Sequence, residues 1–308
     1  MNKPPLISIV IPCYDGAQFL PAAIESCLRQ TMRDFELIIV DDASPDDSAQ
    51  IAERYAGQDA RIRVIRRPAN GGVSEAFNSG FDVARGKYLT RLAQDDVFAG
   101  NAVAVFVEYL ESHPSVGLMY CDFITIDESG GTTGRSNVPE NAERALLLGN
   151  RLGLCVAWRR EVWERIGGFD REFDAAEDYD YWLRVWKHFA IAKCIGVAPL
   201  FVRTHPGMGT IRFADRQERA TVRLLREAYP KNLPGFHRFV MQRKALSLAF
   251  LSAAFEYRGK GQRWRAAHRI LLSFAAWPGP SRQGETGSIL QRFKVLATLI
   301  RPKGRVVR

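Results

Sequence analysis

Three apolar runs of strand length constrain this chain more than any other feature. They are LISIVIPCYD (6–15), FELIIVDD (35–42) and YLTRLAQDD (88–96), and each stops on carboxylates. They lack the polar alternation of a half-exposed strand, so each must be covered on both faces, as in a parallel sheet. The stretches between them carry helical spacing. Phe19, Leu20, Ile24, Cys27 and Leu28 predict a helix over 17–30. A second is predicted over 45–55, with Ser44 as its N-cap and Pro45 at its first position. A third falls at 73–84, and a further strand at 62–65. Strand and helix alternating at this pace imply right-handed crossovers and one parallel sheet.

Ligands of open α/β sheets bind beyond the carboxyl ends of the strands. Pro12 to Asp15, Asp41-Asp42 and Gln94-Asp95-Asp96 all fall at such ends, in loops where neighbouring acids need not alternate between faces. Converging acids repel one another unless a cation lies among them. Mg²⁺ or Mn²⁺ suits such hard oxygen donors.

Downstream the pattern loosens. A helix is predicted at 101–113, a strand at 116–126, a turn at 128–134, a strand at 153–158 and a helix at 160–166. Trp182, Val185, Trp186 and Phe189 share a helical face, so a helix begins near Ala176. Asp174 and Glu177 have the spacing of a capping box, and Asp178 lies in the first turn. From about 215 the chain reads helical and basic, with apolar stripes at 239–255, 262–277 and 289–300 and a loop at 278–288.

Four segments, in this order, resemble glycosyltransferase family 2: SIVIPCYDGAQFLPAAIESCLRQT, FELIIVDDASPDDS, NGGVSEAFNSGFDVARGKYLTRLAQDD and GGFDREF…EDYDYWLR. The resemblance covers roughly residues 5–205. It implies a GT-A type α/β fold, with a Rossmann-like, mostly parallel sheet flanked by helices and followed by a basic helical extension. The implied organisation is a transferase domain at 1–214, with a nucleotide half to about 100 and an acceptor half from 101, and a C-terminal region at 215–308. The implied activity is inverting transfer of a sugar from a nucleotide-diphosphate sugar, with uridine favoured, to a glycan or lipid-linked hydroxyl in surface polysaccharide or glycolipid synthesis. Mn²⁺ or Mg²⁺ is the implied cofactor. Pro12, Tyr14 and Asp15 match positions at the nucleotide, and Asp42 matches the acid that receives a hydrogen bond from the base. Asp95 and Asp96 match the motif that holds metal and donor. Ala93 stands where the first acid of that motif is usual, so the metal falls to Asp96, with His205. Arg203 matches a segment that closes over the diphosphate, and Asp178 matches the catalytic base. A catalytically silent nucleotide-sugar-binding module acting with a partner protein is the alternative that Ala93 raises. A Rossmann oxidoreductase is disfavoured, because PCYDG rather than GxGxxG follows the first strand.

Charge divides the chain. Residues 201–308 carry 22 Lys/Arg against 5 Asp/Glu, and the first 200 residues carry 21 against 29. A basic helical tail suits an anionic membrane surface. It contains no nucleic-acid-binding motif, so no nucleic acid is expected as a partner. No run reaches the roughly 18 apolar residues of a membrane span, and the apolar part of the N-terminus is too short for a secretion signal. Five cysteines without a CxxC read as thiols of a reducing compartment. The expected location is cytoplasmic, peripheral on the inner face of the cell membrane.

Overall fold

The apolar runs become the inner strands of a seven-stranded sheet. In the computed structural model, which describes residues 3–229 and 234–277, β1 (Ile7–Cys13) lies between β2 (Phe35–Asp41) and β4 (Tyr88–Arg91), parallel to both. β3 (Ile62–Arg66) pairs parallel on the far side of β2. Every residue of β2 and β4 is buried. Ile9, Ile11, Leu37 and Ile39 pack in one core with Leu20, Ile24 and Cys27 of α1 (Leu20–Leu28), Ala52 of α2 (Ser48–Ala56), and Phe106 and Leu110 of α4 (Ala102–Ser112). Val10 and Val40 face the other way, onto α3 (Val73–Val83); a Cβ on Gly80 would come 2.4 Å from the Val10 side chain. Burying each large aliphatic side chain contributes about 1.5–3 kcal/mol, so the covered faces fix which way the strands lie.

Beyond β4 the chain leaves the parallel order. Strand order is β10-β6-β9-β4-β1-β2-β3, where β6 is Val116–Tyr120, β9 is Val156–Arg159 and β10 is Ala190–Lys193. β9 runs antiparallel to both β4 and β6. A second sheet has the order β5-β11-β7-β8, from β5 (Val97–Phe98), β7 (Ile124–Ile126), β8 (Thr132–Arg135) and β11 (Leu200–Arg203). The strand predicted at 116–126 is therefore two strands in different sheets. The break falls at Asp122, whose carboxylate accepts the N–H of Val138 (2.9 Å) and pairs with Lys193 (3.1 Å). α5 (Ala142–Leu147), α6 (Arg160–Ile166) and α7 (Glu177–Trp186) complete this part of the chain. Trp158 and Trp182 are fully buried and join Phe81, Phe169 and Tyr181 in one aromatic cluster. The five cysteines are free thiols.

One predicted helix start moves and one predicted cap does not form, for a common reason. α2 begins at Ser48, not Pro45, because Asp46 accepts the N–H of Ala17 (2.8 Å) and both donors of Ser48. Ser44 leans instead toward the carbonyl of Cys13. The capping box is absent from α7 because Asp174 accepts the N–H and hydroxyl of Ser74, 100 residues away in sequence. Long-range docking has taken the side chains that local capping would use.

The chain divides into two compact units, residues 1–146 with 150–208 and residues 147–149 with 209–308. The second is helical: α8 (Gly209–Arg212), α9 (Ala214–Glu227), α10 (Gly235–Gly259) and α11 (Arg263–Ala276). α10 and α11 close on Leu251, Ala254, Tyr257, Ala266 and Ile270. Arg243 donates to the carbonyls of Ala275 and Ala276, fixing their register. The predicted loop at 278–288 and stripe at 289–300 lie outside the described residues.

The sheet itself buries charged side chains, Glu36 among them. Glu36 of β2, 2% exposed, accepts from Ser8 Oγ (2.6 Å) and from the backbone and guanidinium of Arg85. Burial pushes its carboxyl up, but the bonds from Ser8 and Arg85 outweigh burial and hold it below the ordinary Glu range. Glu36→Ala leaves these donors unmatched and should cost about 3 kcal/mol. Urea unfolding should show a lower midpoint with an unchanged m-value.

Candidate functional site

Three strand ends meet at one rim. At β1, the loop 14–17 is clasped by Gln94, whose side chain accepts the N–H of Tyr14 (2.8 Å) and donates to its carbonyl (3.1 Å). Gly16 lies under this amide; a Cβ there would fall 2.3 Å from Gln94 Oε1. Tyr14 and Asp15 are exposed, and Pro12 is partly so.

At β2, Asp42 is 3% exposed and its N–H donates to the carbonyl of Cys13. Its carboxylate accepts the N–H groups of Gly71 (3.1 Å) and Gly72 (2.9 Å) and pairs with Arg67, which also reaches Glu75 (2.9 Å). Gly72 has φ 87°, and a Cβ on it would meet Asp174 Oδ2 at 2.7 Å. That close approach ties the segment before α7 to the segment holding Asp42.

At β4 the strand ends at Arg91, and Ala93 to Asp96 form a turn closed by the N–H of Asp96 on the carbonyl of Ala93 (3.2 Å). β5 then starts in the other sheet, so the adjacent acids sit on a crossing between sheets and need not alternate. Asp95 Oδ2 lies 3.0 Å from His205 Nε2, and the His205 ring packs on Phe19. Asp96, 4% exposed, accepts the N–H of Arg203 (2.9 Å). Burial, then the charge of Asp95, pushes the Asp96 carboxyl well up, against the pull of the Arg203 N–H and of Arg91.

Two sequence expectations change in detail. Arg203 does not point a free guanidinium at the rim. It donates to the carbonyls of Asp95 (3.0 Å), Asp127 (3.2 Å) and Glu128 (2.8 Å), and so ties the turn after β4 to the loop after β7. The acid turned to His205 is Asp95, since Asp96 has one oxygen committed to Arg203. Among the described residues no group of three or more His, Cys, Asp or Glu is arranged as a metal cage.

Asp178, in the first turn of α7, pairs with Arg91 at 3.1 Å. Arg91 is 8% exposed and lies between the rings of Phe77 (5.7 Å) and Trp182 (5.6 Å). Glu177 is buried beside it; burial and then the charge of Asp178 push its carboxyl up to about 8, against the pull of Arg91. Arg91 therefore acts electrostatically on Asp96, Glu177 and Asp178 together, and Asp174 links that group to Gly72 and hence to Asp42. A chain of contacts thus runs from Asp42 through Gly72 and Asp174 toward α7, where Arg91 stands against Asp178. Among the described residues, the non-glycine residues with left-handed φ are Asp15 (54°), Ala43 (57°) and Ala175 (77°). Each sits in a loop of this rim, and such strain costs of order 1–3 kcal/mol per residue.

Sequence reasoning placed Gln94 at a strand end but assigned no site role to it, to Arg67 or to Arg91. Arg91 had a usable signal, a cation inside an otherwise apolar strand. Arg67 and Gln94 had none, because their partners lie 25 and 80 residues away.

The model of the family described as "Glycosyl transferase family 2" matches residues 8–167. The chain is 33% identical over 215 residues to "Uncharacterized glycosyltransferase EpsJ" of Bacillus subtilis, covering 66% of this chain and 62% of that protein. It spans 20% of one other curated relative and 72% of another. Among solved structures, S. aureus TarS 1–349 in complex with UDP-GlcNAc superposes with a TM-score of 0.64 at 16% identity, over 88% of this chain and 81% of that one. The mannosyltransferase PcManGT from Pyrobaculum calidifontis, in complex with GDP-Man and Mn²⁺, gives 0.61 at 17%, over 96% and 79%. These likenesses establish a GT-A type fold.

Glu177 gives a stability test. Its folded pKa exceeds the ordinary Glu value, so between about 4.5 and about 8 the folded state holds a proton that the unfolded state has lost. Its contribution to stability therefore falls as pH rises through that window. Glu177→Gln should flatten this part of the profile, seen as a smaller drop in Tm between pH 5 and pH 8 than in the parent protein.

Proposed function

The chain belongs to glycosyl transferase family 2, and from that premise we propose that it transfers a sugar from a nucleotide-diphosphate donor to a hydroxyl of a glycan or lipid-linked acceptor, with inversion. What supports this reading is the chain of contacts that links the ends of β2 and β4 to α7: Asp42 to Gly72, Gly72 against Asp174, and Arg91 to Asp178. Surface polysaccharide or glycolipid synthesis is the assigned setting.

In this reading the donor's nucleoside lies against Pro12, Tyr14 and Asp15. Asp42 is the acid assigned to an N–H of the base, on the acceptor capacity that Arg67, Gly71 and Gly72 leave to its carboxylate; uracil N3–H suits it, which favours a uridine donor. Asp95 and His205, with the uncommitted oxygen of Asp96, would hold Mn²⁺ or Mg²⁺. The donor set fits, because these ions are commonly bound by one or two carboxylates with substrate phosphates completing the shell. The ion would stabilise negative charge on the departing diphosphate. Arg203 serves the diphosphate indirectly, by holding Asp95 and the 127–128 backbone in place.

The remaining chemistry belongs to α7. An acceptor hydroxyl is a weak nucleophile until a base takes its proton, and Asp178 is the carboxylate assigned to that step. Arg91 orients it, and the rings on either side of Arg91 keep the guanidinium from swinging away. A single displacement follows, with the hydroxyl attacking from the face opposite the departing diphosphate. Ala93 supports a second reading, a nucleotide-sugar-binding module without turnover, since it supplies no donor to the cation.

Asp178→Asn should retain donor binding, measured by calorimetry, and lose turnover by about 10²-fold or more. Unchanged turnover removes Asp178 from the mechanism. Chelator should abolish transfer from a sugar nucleotide, and Mn²⁺ should restore it. Donor binding by the parent protein with no product on any acceptor establishes the silent module instead.

A further inference from the structure

We propose that the groove between α9, α10 and α11 docks the anionic headgroup and first acyl methylenes of a membrane phospholipid. The groove lies wholly within the second unit and is independent of the transfer reaction proposed above.

The groove encloses about 390 Å³. Its apolar floor is Val222, Phe250 and Leu272, one residue from each helix. Arg219, Arg223 and Arg226 line it from α9, and Arg269 from α11. The α9 arginines are spaced four and three apart, so they share one helical face. Two carboxylates also line the groove. Glu218 is buried, paired with Arg269 and accepting from Tyr257 (3.0 Å); Glu227 pairs with Arg223 (2.9 Å). Four guanidinium groups against two carboxylates leave the wall positive.

Like charges at i, i+4 disfavour a helix by a few tenths of a kcal/mol. A row of them beside an apolar floor makes sense once an anion with an aliphatic tail lies there. Guanidinium groups suit phosphate because their paired N–H donors match its oxygens. The floor separates this surface from one built for a free anion, which has no methylenes to bury.

α11 adds a second observation. Its outward residues Trp264, His268, Leu271 and Ala275 repeat at helical spacing, with Trp264 84% and Leu271 56% exposed. A surface helix normally shows polar groups there. An indole is favoured at the headgroup level of a bilayer. The excess of 22 Lys/Arg over 5 Asp/Glu across 201–308 gives the same region long-range attraction to anionic lipid. Among the described residues no helix is long and apolar enough to cross a membrane.

The test is flotation of the full chain with phosphatidylcholine vesicles, with and without phosphatidylglycerol. The parent protein should float only with the anionic lipid, and less at high salt. Arg219→Gln/Arg223→Gln/Arg226→Gln should lower the partition coefficient about 100-fold, and Leu272→Ser should lower it without changing charge. Arg238→Gln/Arg258→Gln/Lys260→Gln removes equal charge outside the groove and should leave most of the binding. Circular dichroism checks that each variant is folded; if the triple groove variant is not, Arg219→Gln and Arg226→Gln singly should each give a partial loss. Two results overturn the proposal: no dependence on anionic lipid, or equal loss in the groove and control variants. Transfer to a soluble acceptor should be unchanged in the groove variants, which separates this result from the fate of the proposed reaction.

Discussion

Arg91 brings a positive charge out of a covered strand, and the rim is arranged about it. Its guanidinium lies between two aromatic rings and against Asp178. The same charge opposes the rise in proton affinity of Asp96 and Glu177. Several acids crowded at one sheet edge repel one another, and a buried carboxylate without a partner is expensive. A fixed cation at the end of β4 offsets part of that cost before any ligand arrives. It also sets a direction, with its donors turned to α7 while the turn beyond it presents Asp95 toward His205.

The central sheet was legible because its physics is local. Uninterrupted apolar runs are strands when both faces are covered, and the helical spacing between them fixed the crossovers. The rim was legible only in part. The carboxylates announced themselves at strand ends, yet their partners did not. Arg67 reaches Asp42 across 25 residues and Gln94 clasps Tyr14 across 80, and no sequence period reports such pairs. Where local and distant demands competed for one side chain, the distant one won: Asp46 left Ser44 without a cap to form, and Asp174 went to Ser74. Short strands were lost for a different reason. β5 has two residues and β11 four, too few to show alternation, and Asp122 split what read as one continuous strand.

The two units differ in what holds them. The first rests on a sheet whose β-branched residues are almost wholly removed from water, with polar groups such as Glu36 admitted only where several donors meet them. The second rests on helix pairing, small residues such as Ala254 and Ala266 letting α10 and α11 approach, and on polar ties such as Ser247 to Ser273. Its charges lie mainly at the surface, where they shape encounters with other molecules more than they shape the fold.

Asp15, Ala43 and Ala175 hold a backbone bend that side-chain-bearing residues rarely adopt. Each bend is enforced by neighbours and not chosen by the residue itself. Glycine at any of the three would relax the bend and also widen the range of shapes the loop can visit. With side chains at these positions the loops have fewer shapes open to them than with glycine, so a ligand has less disorder to remove. Conformational stability and grip on a ligand are therefore separable at these positions, and a change that eases one can weaken the other.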